Sequence, residues 1–154
     1  MLIVLFLGFG LGVWWTSNAI KPKLANYYEL SEKHFEIMNI FKIWFEYYEQ
    51  GNRLEDYFKK NNYKKIAIYG VGFLGERLLC QLKKTNIEIE YILDRKQGYV
   101  YGDIPVLTLD DKLGWVDVVV ITSTYYYWAI SREIERKQPR LKVISIEEIF
   151  KSYT

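Results

Sequence analysis

The stretch that decides the fold runs from Lys65 to Gly75 and reads Lys-Ile-Ala-Ile-Tyr-Gly-Val-Gly-Phe-Leu-Gly. Its first residues have the length and apolar character of a short buried strand. The glycines that follow, Gly70, Gly72 and Gly75, have the spacing G-x-G-x-x-G of a turn that binds phosphate groups. Because such a turn opens directly into a helix, this stretch predicts a strand, a glycine turn and a helix in succession.

The sequence after the glycines completes a strand–helix–strand unit. Leu74, Leu78 and Leu82 recur on one face of the predicted helix, and residues 88–93 form a second strand pattern that ends at Asp94. An acidic residue about 20 positions beyond the glycines accepts hydrogen bonds from ribose hydroxyls in dinucleotide-binding folds. We therefore predict a Rossmann-like α/β fold with an anion site at the start of this helix.

The rest of the chain extends the same sheet. The further elements predicted are strands at 103–107, 115–122 and 141–145 and helices at 128–137 and 146–151. We expect the first of these strands to lie at a sheet edge because it contains a proline. The sheet is predicted to be parallel with strand order 3-2-1-4-5, and ligands of such sheets bind beyond the carboxyl ends of the strands where the order reverses.

The candidate binding residues lie on the loops at that end of the sheet. Ser123, Thr124 and Tyr125 follow the strand next to the glycine turn, and their alternative role is ordinary helix capping. Arg95 and Lys96 are compatible with a 2′-phosphate, although an Asp at position 94 favours NAD over NADP. The glycines have the alternative role of packing helix on strand, and Asp94 that of a plain strand end. The full predicted set is Gly70, Gly72, Phe73, Leu74, Gly75, Asp94, Arg95, Ser123, Thr124 and Tyr125.

The beginning of the chain is apolar. Residues 1–20 contain no charged side chain, and twenty helical residues span roughly 30 Å, the thickness of a bilayer core. Trp14 and Trp15 would lie near an interface, and the positive-inside rule applied to Lys21 and Lys23 places the remainder in the cytoplasm. We predict a single-pass membrane anchor over 1–20; a buried core element is the alternative.

A helical lead-in is predicted over 21–62, between this anchor and a Rossmann-like domain over 63–154. Pro22 fits the first turn of a new helix, which continues to Gln50, and a second helix covers 54–60. The apolar face of the first helix is made by Ile37, Phe41, Trp44 and Tyr48, flanked by Met38 and Phe45. We expect that face to pack on its own domain; a second copy and a membrane surface are the alternatives.

Composition excludes several classes of function. Twenty-one Lys and Arg against nineteen Asp and Glu give a formal charge of +2, which is too balanced for a nucleic-acid footprint. One cysteine, Cys80, and one histidine, His34, cannot assemble a Cys/His metal cluster, and we expect both side chains to be packed. No Tyr-x-x-x-Lys pair, nucleophile elbow or P-loop lysine is present, so no catalytic residue is predicted.

The motifs Ile-Tyr-Gly-x-Gly-x-x-Gly, Tyr-Ile-Leu-Asp, Asp-Val-Val-Val-Ile-Thr and Ile-Ser-Ile-Glu-Glu-Ile lie within residues 66–150. This stretch resembles the small Rossmann-like domains of bacterial surface-polysaccharide biosynthesis proteins. It is similar to the nucleotide-sugar-binding N-terminal domain of sugar acyltransferases and to the NAD-like domain of membrane-bound nucleotide-sugar dehydratases. The acyltransferase version commonly has a histidine before the third glycine, where this chain has Leu74, and neither family's catalytic domain is present in this sequence.

Two functional hypotheses follow. The first, which the resemblance implies, is a membrane-anchored module that binds NAD or a nucleotide-sugar in cell-surface polysaccharide biosynthesis, without a complete catalytic site. The second is a ligand-free scaffold that recruits a partner enzyme, or a second copy of the chain, through the helix from Lys23 to Gln50. Any hydride transfer would need catalytic groups from a partner protein.

Overall fold

The computed structural model describes residues 2–95 and 100–151, except for the side chains of residues 2–19 and of Val100. The chain divides into two compact units, Met1–Glu36 and Ile37–Thr154. The described helices are α1 (Leu2–Glu49), α2 (Leu54–Lys60), α3 (Phe73–Leu82), α4 (Tyr127–Lys137) and α5 (Ile146–Lys151). The described strands are β1 (Lys65–Tyr69), β2 (Glu88–Leu93), β3 (Val100–Tyr101), β4 (Ile104–Leu107), β5 (Val118–Ile121) and β6 (Val143–Ser145).

The strands form one sheet in the order β3-β4-β2-β1-β5-β6. All neighbours from β4 to β6 pair in parallel, which confirms the predicted α/β class and the strand order 3-2-1-4-5. The short strand β3 was not predicted, and it pairs antiparallel with β4. As a result β4 lies between β2 and β3, and the prediction that it forms the edge of the sheet is wrong.

Helices cover both faces of the sheet, and β1 shows how the sequence separates the two faces. Ile66 and Ile68 pack in one core cluster with Leu78 of α3, whereas Ala67 and Tyr69 pack in the other, which contains residues of α4. Every residue of the adjacent strand β5 is buried. A strand buried on both faces is continuously apolar, which explains why the central strands were recognisable in the sequence.

The second half of α1 packs on this domain, as expected, and the packed face largely agrees with the predicted one, because Trp44 is buried and Ile37 and Phe41 pack against the same core cluster. Ile40, Trp44 and Tyr47 are buried, and the Trp44 ring lies 4.6 Å from that of Phe150 in α5. Tyr48, which was predicted on the apolar face, is exposed. The aromatic residues surround the whole helix, so their spacing alone did not show which side meets α5.

The predicted helix boundary at Pro22 is wrong, because Pro22 lies inside α1. An interior proline removes one helical hydrogen bond and crowds the carbonyl four residues earlier, which weakens a helix, but α1 continues through Pro22. Within the part of the chain that the structure describes, no helix combines the length and apolarity needed to cross a bilayer. This finding does not support the anchor predicted over 1–20. The side chains of residues 1–19 lie outside the part of the chain that the structure describes.

Two side chains that we expected to be packed are exposed. The Cys80 thiol lies on the exposed side of α3, opposite the face that carries Leu78 and Leu82. His34 is also exposed. For Cys80 the spacing of the leucines already contained this result, because a residue two positions from both Leu78 and Leu82 lies on the opposite side of the helix.

Candidate functional site

The glycine turn connects β1 to α3 at the carboxyl end of the sheet. Gly70 has a φ of +92°, a left-handed conformation that residues with a side chain rarely adopt. Its N–H donates to the carbonyl of Leu93 at the end of β2, over 2.9 Å. This hydrogen bond joins the turn to β2 at the point where the chain leaves the sheet.

Gly75 allows α3 to lie directly against this turn. A Cβ built on Gly75 would overlap the carbonyl oxygen of Gly70 and would lie 3.2 Å from the hydroxyl oxygen of Thr122. Gly72 differs, because a Cβ there would meet no atom within 4 Å. Of the two positions, Gly75 requires glycine for close packing, and Gly72 faces open space.

Thr122 holds the turn from the other side. Its hydroxyl lies 2.9 Å from the carbonyl oxygen of Gly70 and 3.1 Å from that of Tyr69, and it donates its proton to this pair. Its backbone N–H also donates to the Tyr69 carbonyl, over 3.1 Å. The side chain is buried, so these carbonyls are satisfied without water. Thr122 was missed in the sequence, where it reads as the last residue of a strand.

The start of α3 presents main-chain donors. Gly72 is the N-cap and makes no side-chain capping bond, and the first N–H bonded within the helix is that of Glu76, to the Gly72 carbonyl. The N–H groups of Phe73, Leu74 and Gly75 therefore have no acceptor inside the helix. Together with the helix dipole, they form an arrangement suited to an anion.

The side chains of the same turn contribute little polarity. Leu74 is buried in the core, so only its N–H is available to a ligand. Phe73 is 59% exposed and meets the ring of Phe41 edge-on, with centroids 5.2 Å apart. The arrangement offers backbone donors and an apolar rim rather than a charged pocket.

One acidic side chain in the first turn of α3 opposes an anion. Glu76 accepts a hydrogen bond from the hydroxyl of Tyr101 on β3. Burial, with the nearby Glu76 carboxylate adding to it, raises the pKa of Tyr101 above its ordinary value. A carboxylate near a helix N-terminus stabilises the helix in the absence of a ligand, and it repels a ligand that carries negative charge.

The structure brings Asp94 and Arg95 near the end of β1. Burial raises the pKa of the Tyr69 hydroxyl, with Glu133 and Asp94 adding to the rise and a hydrogen bond from Arg95 opposing it. Asp94 is half-buried, and its N–H donates to the carbonyl of Leu107. Arg95 is exposed, and Lys96 lies outside the described residues. Tyr69 and Glu133 were missed because the sequence does not place a strand end opposite α4.

Ser123, Thr124 and Tyr125 follow directly after Thr122, the residue that contacts the glycine turn. The N-cap of α4 is Tyr126, and no side-chain hydrogen bond caps that helix, so capping does not account for the two hydroxyl residues. Thr124 instead accepts the N–H of Tyr127 through its backbone carbonyl, over 3.0 Å. Their contact with a ligand stays a prediction.

A groove of about 540 Å³ lies elsewhere in the second unit, where α1 ends and α2 begins. Its lining residues are Tyr48, Arg53, Leu54, Glu55, Gln81, Lys84 and Thr85. None of the predicted site residues lines it. The Tyr48 hydroxyl donates to the side-chain oxygen of Gln81 across 2.6 Å, which joins α1 to the end of α3.

No protein-family model, no curated protein and no solved structure matches the chain. Among the side chains in the described ranges, no cluster of three or more His, Cys, Asp or Glu could hold a metal ion.

Proposed function

We propose that the chain binds the pyrophosphate of a dinucleotide or a nucleotide-sugar at the start of α3. The observation that carries the proposal is the combination of open space at Gly72 with three first-turn N–H groups that have no acceptor inside the helix. Gly70, Gly75 and Thr122 support it by holding the turn close to the sheet, which keeps those donors at the carboxyl end of the strands.

The remaining candidate residues would contact the rest of the ligand. Asp94, at the end of the neighbouring strand, would accept hydrogen bonds from ribose hydroxyls, and Arg95 beside it would meet a phosphate or a second acidic group. Ser123, Thr124 and Tyr125 would line the opposite side. NAD and a nucleotide-sugar share the pyrophosphate and ribose that these groups would recognise.

The biological setting is a further part of the proposal. The resemblance to small Rossmann-like domains of polysaccharide biosynthesis favours a role in cell-surface polysaccharide assembly, with the domain held at the cytoplasmic side of a membrane by residues 1–20. The chain would act there as a binding module, because the described loops around the glycine turn offer backbone donors and no paired acid and base.

A ligand-free scaffold is the second candidate, and Glu76 is the observation that favours it. A carboxylate in the first turn of α3 interacts favourably with the positive end of the helix dipole, as a bound phosphate would. In that case the glycines would serve only to pack α3 on the sheet. The two candidates differ in whether any nucleotide binds.

Titration calorimetry of the full chain with NAD, NADP and a UDP-sugar tests the proposal. We expect saturable binding of at least one ligand, and we expect Gly72→Asp to weaken it at least about tenfold, or about 1.4 kcal/mol. The added carboxylate enters open space, so the domain should still fold. Cys80→Asp is the matched control, because it adds the same charge to an exposed position of the same helix.

Binding that disappears equally in the two aspartate variants would point to general repulsion rather than to the glycine turn. An absence of heat with all three ligands, with the protein shown to be folded by circular dichroism, would leave the scaffold as the better account.

A further inference from the structure

The groove where α1 ends and α2 begins has the size and the lining of a small-molecule site. Its volume of about 540 Å³ lies within the range of roughly 300–1,000 Å³ that is usual for ligand pockets. Such sites combine apolar surface with a few polar groups. Here the apolar surface comes from the Tyr48 ring and Leu54, and the polar groups belong to Arg53, Gln81 and Lys84. We call this groove, bounded by residues 48, 53–55, 81 and 84–85 of the second unit, the α2 groove.

Tyr48 determines which end of the Gln81 amide is available to a ligand. Burial raises the pKa of Tyr48, and the side chain of Trp44 and the main chain of Leu54 oppose the rise. Both are N–H donors that approach the hydroxyl oxygen, although the buried indole N–H of Trp44 completes no hydrogen bond with a described residue. An oxygen that faces donors directs its own hydrogen elsewhere, here to Oε1 of Gln81 over 2.6 Å. The NH₂ group of Gln81 therefore points away from Tyr48, and it has no acceptor in the part of the chain that the structure describes.

Two cationic side chains in the α2 groove lack a strong ion pair. Lys84 is exposed and pairs with no carboxylate of the described ranges. The Arg53 guanidinium lies 3.9 Å from the Glu55 carboxylate, and the Arg53 side chain is 76% exposed. An ion pair at that distance and exposure contributes little, so it leaves the guanidinium available. Arg53, Lys84 and the Gln81 amide thus offer hydrogen-bond donors to the groove.

The acidic residues near the groove are already engaged. Glu55, the carboxylate among the lining residues, accepts a hydrogen bond of 2.8 Å from Lys59, one turn later on α2. That bond holds the pKa of Glu55 below its ordinary value, so the pair is charged and close to neutral in sum. Asp56 accepts the main-chain N–H of Arg53 over 3.0 Å and does not line the groove. The charges of Arg53 and Lys84 therefore leave the groove positive.

The end of α3 borders the same groove, and its dipole opposes an anion there. The effect is small, because the Gln81 carbonyl accepts the N–H of Lys84, and the Leu82 carbonyl accepts both the N–H and the hydroxyl of Thr85. A helix end carries a partial charge of about half a unit, whereas Arg53 and Lys84 each carry a full positive charge. The balance of charge in the groove favours an anion.

We propose that the α2 groove binds a small organic anion, with its carboxylate or phosphate held by Arg53, Gln81 and Lys84 and its apolar body on the Tyr48 ring. The guanidinium presents a planar pair of donors to such a group, and the ammonium adds a compact charge. The proposal does not depend on nucleotide binding at the glycine turn. At 1.5 Å per residue, Gln81 lies about 12 Å along α3 from Phe73, where the glycine turn ends.

Chemical shifts of the isotope-labelled full chain test the proposal in titrations with benzoate, phenyl phosphate and neutral benzamide at constant pH and ionic strength. We expect at least one of the two anions to shift the main-chain amides of Lys84 and Thr85 and the side-chain NH₂ of Gln81 in a saturable way. Benzamide has the ring without the charge, so it should leave these signals in place. Lys84→Gln should weaken binding of the anion about fivefold, as expected for the loss of one exposed charge.

Lys83→Gln is the matched control for that variant. It removes the same charge from the adjacent position at the same end of α3, but Lys83 does not line the groove and its Nζ lies near Gly102. A role of these lysines in the net charge or in the helix dipole would affect both variants alike. We expect Lys83→Gln to bind the anion as the unaltered chain does.

Saturation with phenyl phosphate alone would support the proposal and identify a phosphate as the anionic group, and saturation with benzoate alone would identify a carboxylate. Groove signals that do not move with either anion up to about 10 mM would overturn the proposal, as would equal weakening in the two lysine variants. Shifts confined to the amides of residues 73–75 would also overturn it. In that case the anion binds only at the glycine turn, and the proposed function would stand without a second site.

Discussion

Two connections leave the sheet at its carboxyl end, and each leads from a strand to a helix with a different length and composition. Between β1 and α3 the chain turns within three residues, Gly70 to Gly72, with a left-handed glycine. Between β5 and α4 it uses five residues, Thr122 to Tyr126, with none in a left-handed conformation. The short connection places main-chain donors beside the sheet, and the long one supplies hydroxyl and aromatic side chains. The glycines allow α3 to lie close to the sheet, whereas the longer loop carries the polar and aromatic side chains.

The two connections depend on each other. The hydroxyl of Thr122, the first residue of the long connection, donates to the carbonyl of Gly70, the first residue of the short one. A Cβ at Gly75 would meet both residues. The two loops are therefore coupled through a small set of backbone contacts that substitutions can break one at a time.

Gly75→Ala should have the largest effect on stability. In an ordinary helix this exchange stabilises by up to about 1 kcal/mol, but here the new Cβ overlaps the Gly70 carbonyl, which belongs to the backbone. We expect the free energy of unfolding to fall by about 3 kcal/mol, as for a severely overpacked site. Urea unfolding monitored by circular dichroism measures it.

Gly72→Ala is the control for that experiment, because the two glycines belong to the same turn. Its Cβ meets open space, so the loss should stay below about 1 kcal/mol, as for an alanine at an N-cap. An equal fall in the free energy of unfolding of the two variants would mean that α3 does not lie against the Gly70 carbonyl at Gly75.

Thr122→Val should have the smaller effect, because it preserves the shape of the side chain and removes only its hydroxyl. The Gly70 carbonyl then loses its donor, while the Tyr69 carbonyl keeps the backbone N–H of residue 122. We expect the free energy of unfolding to fall by about 1.5 kcal/mol, the cost of one buried carbonyl without a partner.

Ser123→Ala provides the matching control, since it removes the next hydroxyl along the same loop. It should change stability by less than about 0.5 kcal/mol, as surface substitutions usually do. A loss in Ser123→Ala as large as that in Thr122→Val would contradict the role assigned to Thr122.

The strands and helices that the sequence predicted best are those whose ends are marked by turn residues or by the end of a residue pattern. Strand β2 begins and ends where the alternating pattern of 88–93 does, and α2 lies between the turn residues that flank it. The glycine turn was recognisable because a left-handed φ and a close helix contact both require glycine. In such places the local sequence and the fold impose the same constraint.

The rest depended on tertiary contacts that no local pattern contains. Strand β3 has two residues and exists through its pairing with β4. The hydrogen bond from the Thr122 hydroxyl to the Gly70 carbonyl could not be predicted, because it depends on the pairing of β5 with β1. Likewise, the choice between Tyr47 and Tyr48 as the buried tyrosine of α1 depends on where the ring of Phe150 lies, 5.5 Å from Tyr47.

The central claim is that the first N–H groups of α3 receive a pyrophosphate, and amide chemical shifts test it most directly. In a titration of the isotope-labelled full chain with NAD and with a UDP-sugar, we predict that at least one ligand shifts the amides of Phe73, Leu74 and Gly75 in a saturable way. The first-turn amides of α2, at Glu55 and Asp56, serve as the reference because they also begin a helix. Amides of α3 that stay in place with both ligands, or that move no more than those of α2, would contradict the claim.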